Sequence, residues 1–257
     1  MTMQKLEIGT LKLEVHDSAA AAGEAAAQAT AEAIRQANRA GGLGVIFATG
    51  NSQLETLRAL TSLPDVPWEQ ITGFHLDEYV GISDGHPASF RRYLRTKLTE
   101  RVPIGRFYEI DGSASDLEQV QCEYTRLLAE VRPQICLLGI GENGHLAFND
   151  PHEANFSDPK TIRIANLDTA CRQQQVAEGW FSTFAEVPEQ ALTLTIPTMF
   201  RIPKLIISVP GKRKAESVRR TFEDPISTAC PATILRNHPD ATLYLDPESA
   251  AELTSIA

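Results

Sequence analysis

Only four cysteines occur in the 257 residues: Cys122, Cys136, Cys171 and Cys230. None stands at C-x-x-C spacing from another, and no histidine lies at zinc-finger distance from them. Neither a disulfide framework nor a structural zinc site is therefore written in the chain, and reduced, mostly buried thiols are expected. Long apolar runs are missing too. No stretch approaches the roughly 18 residues of a membrane span, and residues 1–10 lack the apolar run and cleavage site of a secretory leader. Membrane and secreted forms lack support, and a cytoplasmic location is expected. The third absence is an excess of positive charge. Lys and Arg number 24 against 33 Asp and Glu, a formal net charge of −9. A field of that sign favours neither nucleic acid nor an anionic membrane as partner. It leaves room for a small anion, because clustered backbone N–H groups and one lysine outweigh a distant net charge.

What is present is an alternation of short apolar runs with helical patterns. Asp17 and Ser18 are N-cap residues ahead of an Ala-rich stretch, 19–40, that reads as a helix closed by Gly41 and Gly42. Residues 43–48 (LGVIFA) suit a buried strand. A helix over 52–59 and a strand over 71–76 follow. Pro87, at an N1-like position, opens a helix to about residue 98. A weak strand is expected at 106–110, a helix at 115–131 capped by Ser115 or Asp116, and an apolar strand at 135–140 (ICLLGI). Residues 162–167 read as an edge strand, 205–209 as a buried strand and 212–222 as a basic helix. Residues 241–245 (ATLYL) close the sheet. This order predicts one α/β domain over 1–257: a mainly parallel, doubly wound, Rossmann-like sheet with helices on both faces, in three αβα layers.

In such a sheet ligands bind beyond the carboxyl ends of the strands. Four loops there carry chemistry. Thr49, Gly50, Asn51 and Ser52 lie between a strand and a helix, where hydroxyls, a glycine and a helix N-terminus suit a phosphate; a plain strand-to-helix turn reads the same way. Asp77 and Glu78 are adjacent, so in an extended segment they point to opposite sides. One can face a site as general base with a raised pKa while the other caps a helix or pairs with a base; a surface acidic turn is the alternative. The segment 139–151 (GIGENGHLAFNDP) places Asn143 and His145 two apart, with Asp150 able to orient the histidine. Finally Lys212, Arg213 and Lys214 open a helix, where the macrodipole disfavours cations. Either an anion is bound there or the cations are solvated.

LDEYVG at 76–81, HPASF at 86–90, GIGENGHLAFNDP at 139–151, VPEQALT at 187–193, GKRKA at 211–215 and NHPDATLYLD at 237–246 together resemble the glucosamine-6-phosphate deaminase (isomerising) family over nearly the whole chain. The related 6-phosphogluconolactonases share the fold but differ after the histidine. The resemblance implies an aminohexose phosphate that is opened, isomerised and stripped of ammonia. It casts Asp77 as the base that moves a proton between C2 and C1, and His145 as the acid at the ring oxygen. Asp150 stands where the family has a glutamate that orients this histidine. Lys214 and the Thr49–Ser52 loop match the phosphate contacts. No cofactor or metal is implied. The partner is a phosphorylated amino sugar, and a homo-oligomer is compatible with the family.

Three positions depart from the pattern. Asn143 stands for an aspartate, Asp150 for a glutamate, and Gly179 for a phosphate-gripping arginine; Arg172 lies seven residues earlier. Glucosamine 6-phosphate deamination is the first expectation. Galactosamine 6-phosphate deamination, a non-catalytic sugar-phosphate-binding regulator and a 6-phosphogluconolactonase are the alternatives.

Overall fold

A computed structural model describes residues 4–38 and 43–254. In chain order the strands are β1 (Gln4–Ile8), β2 (Leu11–Val15), β3 (Leu43–Phe47), β4 (Ile71–His75), β5 (Asp77–Tyr79), β6 (Arg106–Phe107), β7 (Ile135–Leu138), β8 (Ile162–Asn166), β9 (Gln190–Leu194), β10 (Lys204–Ser208) and β11 (Ala241–Leu245). The helices are α1 (Ala19–Asn38), α2 (Leu54–Leu60), α3 (Phe90–Leu94), α4 (Leu117–Val131), α5 (Thr169–Ala177), α6 (Ile196–Phe200) and α7 (Ala215–Glu223).

The main sheet runs β1-β2-β11-β10-β7-β3-β4-β6. Every pairing in it is parallel except the β1–β2 hairpin. Helices cover both sides, giving the three-layer α/β arrangement. The runs LGVIF and ICLL are buried along their whole length, as strands covered on both faces must be. The chain leaves β3 toward β4 and β6, then returns to β7 on the other side. The strand order therefore reverses between β3 and β7, and a crevice opens above their carboxyl ends. The strands that feed the four chemistry-bearing loops, β10, β7, β3 and β4, are consecutive neighbours.

A second sheet, β5-β9-β8, is antiparallel and small. It departs from the main sheet at one residue, Leu76, between β4 and β5, and the Leu76 carbonyl accepts from Leu194 N–H at 2.8 Å. A separate apolar cluster under it contains Tyr79, Phe90, Phe148 and Phe181.

Several expectations are corrected. The helix expected from Pro87 begins at Phe90, because the Ser89 hydroxyl, not the proline, meets the free N–H of Arg92 as its cap. It ends in a wider-wound turn, Arg95–Thr99. Residues 241–245 do not close the sheet: β11 lies inside it, flanked by β10 and by the N-terminal hairpin. Residues 162–167 do lie at an edge, but of the small sheet. Strand pairing at 106–110 is confined to Arg106–Phe107. Asp116 is the cap of α4, accepting from Gln119 N–H at 2.9 Å. The glycines expected to end α1 lie outside the described residues.

Glu78 fixes β5 from the side opposite Asp77. It is fully buried. Its oxygens accept from Tyr79 N–H at 2.9 Å, Ser89 Oγ at 2.8 Å, Phe90 N–H at 3.1 Å and Arg91 N–H at 3.0 Å. The Arg91 guanidinium stands 3.5 Å away. Burial pushes the carboxyl up, against hydrogen bonds that favour the charged form. Removing one partner of a buried network strands the other groups, which costs about 3–5 kcal/mol. Glu78→Ala is expected to lower the unfolding free energy by about that much, read as a shifted urea midpoint with the slope unchanged.

Candidate active site

Gly50 follows β3 with φ at 89°, a conformation costly for a residue with a Cβ, and begins a single 3-10 turn, Asn51–Gln53, ahead of α2. The turn is tied down from below. Buried Gln53 donates through Nε2 to the Leu138 carbonyl at 3.0 Å and to Ser52 Oγ at 3.1 Å. The hydroxyl of buried Tyr93 donates to the Gly50 carbonyl at 2.9 Å. A matching 3-10 turn, Lys212–Lys214, follows β10. Buried Asp246 holds it by accepting from Gly211 N–H at 3.1 Å. Lys212 and Arg213 are exposed and Lys214 is half-buried. Arg213 pairs with Glu142 at 2.8 Å. Burial presses the Lys214 ammonium down, while Glu178 and Glu142 oppose that shift.

The histidine loop is a compact hydrogen-bonded unit. His145 Nδ1 lies 2.9 Å from Asp150 Oδ1 and 2.8 Å from Asn143 Oδ1. Asn143 Nδ2 donates to Asp150 Oδ1 at 2.8 Å, and His145 N–H donates to Asn143 Oδ1 at 3.0 Å. Both side-chain neighbours of Nδ1 are acceptors, so Nδ1 carries a proton and Nε2 is left to act on a ligand. Asp150 is fully buried. Burial alone would raise its pKa; the charge and hydrogen bond of His145, the Asn143 amide and the Cys171 thiol outweigh that and lower it to about 2. Gly141 packs flat on the imidazole. A Cβ there would lie 2.2 Å from the ring, so the close approach requires glycine.

Asp77 differs from every other acid near it. It is 6 % exposed. Among the described residues no hydrogen bond or ion pair engages its carboxylate. Burial, and then the neighbouring Glu78 charge, push its pKa well above the usual range. A carboxyl buried in a cleft wall without a protein partner is costly to the fold, and groups with strongly shifted pKa values cluster at functional sites.

Thr49, Gly50, Asn51, Ser52, Asp77, His145 and Lys214 all line one cavity of about 470 Å³. Asn143 and Asp150 do not; both contact Nδ1 of His145 from behind the wall. Neither arginine-related position reaches the cavity wall. Gly179 is a turn residue after α5, with φ at 81°. The Arg172 guanidinium donates to the Phe184 and Val187 carbonyls, at 3.2 and 2.8 Å, and lies over the Phe184 ring. Part of the remaining wall comes from α5 and the turn beyond it: Gln174, Gln175, Glu178 and Trp180. Glu178 accepts from Gln174 Nε2 at 2.7 Å and Trp180 Nε1 at 3.2 Å. A run of glutamines before a Gly-Trp turn carries no local signal of function, and sequence reading passed over it. Among the described residues no cluster of His, Cys, Asp and Glu could hold a metal ion, and no helix is long and apolar enough to cross a membrane.

Residues 16–244 match the family model described as glucosamine-6-phosphate isomerases/6-phosphogluconolactonase. The chain belongs to this enzyme family. Among its relatives, a glucosamine-6-phosphate deaminase of Exiguobacterium sibiricum is 35% identical over 216 residues, covering 84% of this chain and 83% of the relative. One of Oenococcus oeni is 30% identical over 244 residues, covering 95% and 99%. A monomeric glucosamine-6-phosphate deaminase of known structure superposes with a TM-score of 0.87 at 30% identity, covering 93% of this chain and 99% of the other. The 6-phosphogluconolactonase of Trypanosoma brucei shares the fold, with a TM-score of 0.76 at 18% identity over 98% and 100% of the two chains.

Asp77 leads to a test of stability. Its folded pKa is raised, so above the unfolded value near 4 the native state retains a proton that the unfolded chain has lost, and stability falls as pH rises toward the folded pKa. Asp77→Asn removes this penalty. Urea unfolding from pH 4 to 8 is expected to show the variant gaining on wild type as pH rises; parallel curves would mean that Asp77 is solvated or paired.

Proposed function

We propose that this chain is an aminohexose-6-phosphate deaminase that converts glucosamine 6-phosphate and water to fructose 6-phosphate and ammonia, in the breakdown of amino sugars. The observation that carries the reading is a buried Asp77, without a partner among the described residues, in the same cavity as His145 and two 3-10 turns. The relatives named as glucosamine-6-phosphate deaminases support it.

The phosphate is taken by the N–H groups and hydroxyls of Thr49, Gly50, Asn51 and Ser52 and by the Lys214 ammonium. Two 3-10 turns, on the ends of β3 and β10 either side of β7, close on it from two sides, with the sugar chain running toward Asp77 and His145. Binding energy from this remote handle serves orientation at the reacting carbons. Nε2 of His145 takes the proton of the C1 hydroxyl and passes it to the ring oxygen as the C1–O5 bond breaks, leaving the open-chain aldehyde, while Nδ1 is held by Asn143 and Asp150. Asp77 then takes the proton from C2 of the open-chain aldehyde and returns it at C1. The product is a ketimine at C2, and water adds there as ammonia leaves. A carboxylate stripped of hydrogen bonds is a stronger base than one in water, which suits proton abstraction next to a carbonyl.

Two measurements test the assignment. Asp77→Asn is expected to lower ammonia release by about 10²–10⁴-fold, the usual worth of a positioned base. In wild type, kcat/KM rises with pH through the raised pKa of Asp77, so its acid limb lies above the ordinary carboxylate range. Galactosamine 6-phosphate and 6-phosphogluconolactone are assayed beside glucosamine 6-phosphate. Release of ammonia from neither amino sugar would sink the deaminase reading, and lactone hydrolysis or tight binding without turnover would name its replacement. Asn143→Asp places a second carboxylate on Nδ1 of His145 and is expected to displace the pH–rate profile to higher pH.

A further inference from the structure

Gln175 is placed by an unusual constraint. It lies on α5, is 7 % exposed, and lines the same cavity as Asp77. Its Oε1 is 2.7 Å from the hydroxyl of Tyr79. Tyr79 is fully buried, packed among the rings of Phe90, Phe148 and Phe181 at centroid distances of 5.0, 5.1 and 5.3 Å. Among the described residues its hydroxyl has no other hydrogen-bond partner.

That isolation decides which way the amide faces. If Gln175 turned its nitrogen toward Tyr79, the phenol would accept and its own hydrogen would be orphaned in an aromatic pocket, at the cost of an unmade buried bond. The phenol therefore donates to Oε1, and Nε2 is turned away from it. No protein acceptor meets Nε2 among the described residues. A two-hydrogen donor, locked in orientation from behind, is thus presented to the cavity. Its place along the cavity follows from β5. Asp77 and Tyr79 are two apart on one strand and lie on the same side, so Gln175 flanks the reacting end rather than the two phosphate turns.

We propose that Gln175, oriented by Tyr79, donates a hydrogen bond to an oxygen on the carbon chain of the sugar and so determines which sugar phosphates are accepted. The choice of substrate rests on the deaminase reading. A neutral amide suits a hydroxyl, whereas the phosphate already has a lysine and two rows of N–H groups. A site built to bond a hydroxyl discriminates strongly, because its own polar group is left unpaired when the hydroxyl is absent or misplaced. Tyr79 is here a positioning residue, acting only through Gln175.

The test compares Gln175→Leu, Gln175→Glu and Tyr79→Phe in the full-length protein. Gln175→Glu keeps an acceptor for Tyr79 but has no N–H, so it preserves the packing and removes the donor. Both Gln175 variants are expected to lose about 10–100-fold in kcat/KM for glucosamine 6-phosphate, the range set by an unpaired buried polar group. The inhibition constant of inorganic phosphate should stay within about twofold of wild type. Tyr79→Phe, which frees the amide to rotate, should fall between wild type and Gln175→Leu. Unchanged kcat/KM in Gln175→Glu overturns the proposal. So does a parallel loss of phosphate inhibition, which would make Gln175 a phosphate ligand or a structural residue. If wild type releases no ammonia, the deaminase reading fails by itself. Calorimetric binding of glucosamine 6-phosphate and of inorganic phosphate then replaces the rates: the same selective loss sustains the role of Gln175, and no selective loss ends it.

Discussion

Glu78 spends its whole hydrogen-bonding capacity inside the protein. It meets the N–H groups that open α3, the hydroxyl of Ser89 and the guanidinium of Arg91, and so ties β5, which pairs with β9 along its three residues, to the start of α3. The alternation of a strand then does the rest. With Glu78 satisfied on one side, Asp77 is carried to the other, where no described residue hydrogen-bonds its carboxyl. One adjacent pair of acids is thereby divided into a structural anchor and a carboxyl that faces the cavity. Because backbone geometry makes the division, it needs no special environment beyond burial.

The second acid constellation works in the opposite sense. Asp150 is as buried as Glu78, and its pKa is held low because His145, Asn143 and Cys171 favour its charged form. Asn143 supplies geometry without adding charge: its oxygen accepts from His145 and its nitrogen donates to Asp150, so it bridges the two. The cavity thus holds one carboxylate whose pKa is pushed up and, behind its wall, one whose pKa is pulled down. Environments that separate the titrations of two like groups are the means by which one site offers both a base and an acid relay.

Much of this was legible in the chain. The apolar runs LGVIFA, ICLLGI and LIISV became β3, β7 and β10 because strands buried on both faces cannot afford polar positions. Their loops were therefore recognisable as strand ends facing one crest. Asp77, His145, Lys214 and Thr49–Ser52 do line one cavity. Other features were hidden. The N-terminal hairpin has the mixed composition of an edge, which periodicity does not distinguish from a loop. The strand Asp77–Tyr79 is too short to show a period. The cap at Ser89 was masked by the stronger helix-opening signal of Pro87. The wall from α5 consists of polar residues whose role depends on partners far away in sequence, such as Tyr79 for Gln175, and no local pattern announces such a pairing.

Leu76 is the lone residue between the last strand of the main sheet to be entered before the crest and the first strand of the small one. The turns proposed to hold the phosphate belong to the large sheet, and the proposed base, Asp77, belongs to the small one. The separation between handle and base is accordingly a property of the angle at which two sheets meet, not of any single loop. A few degrees of shear at that joint would move the base relative to every phosphate contact at once. Sugars of different chain length or ring pucker could then be matched by changing residues beneath the small sheet, among Phe90, Phe148 and Phe181, without touching a group that meets the ligand's phosphate.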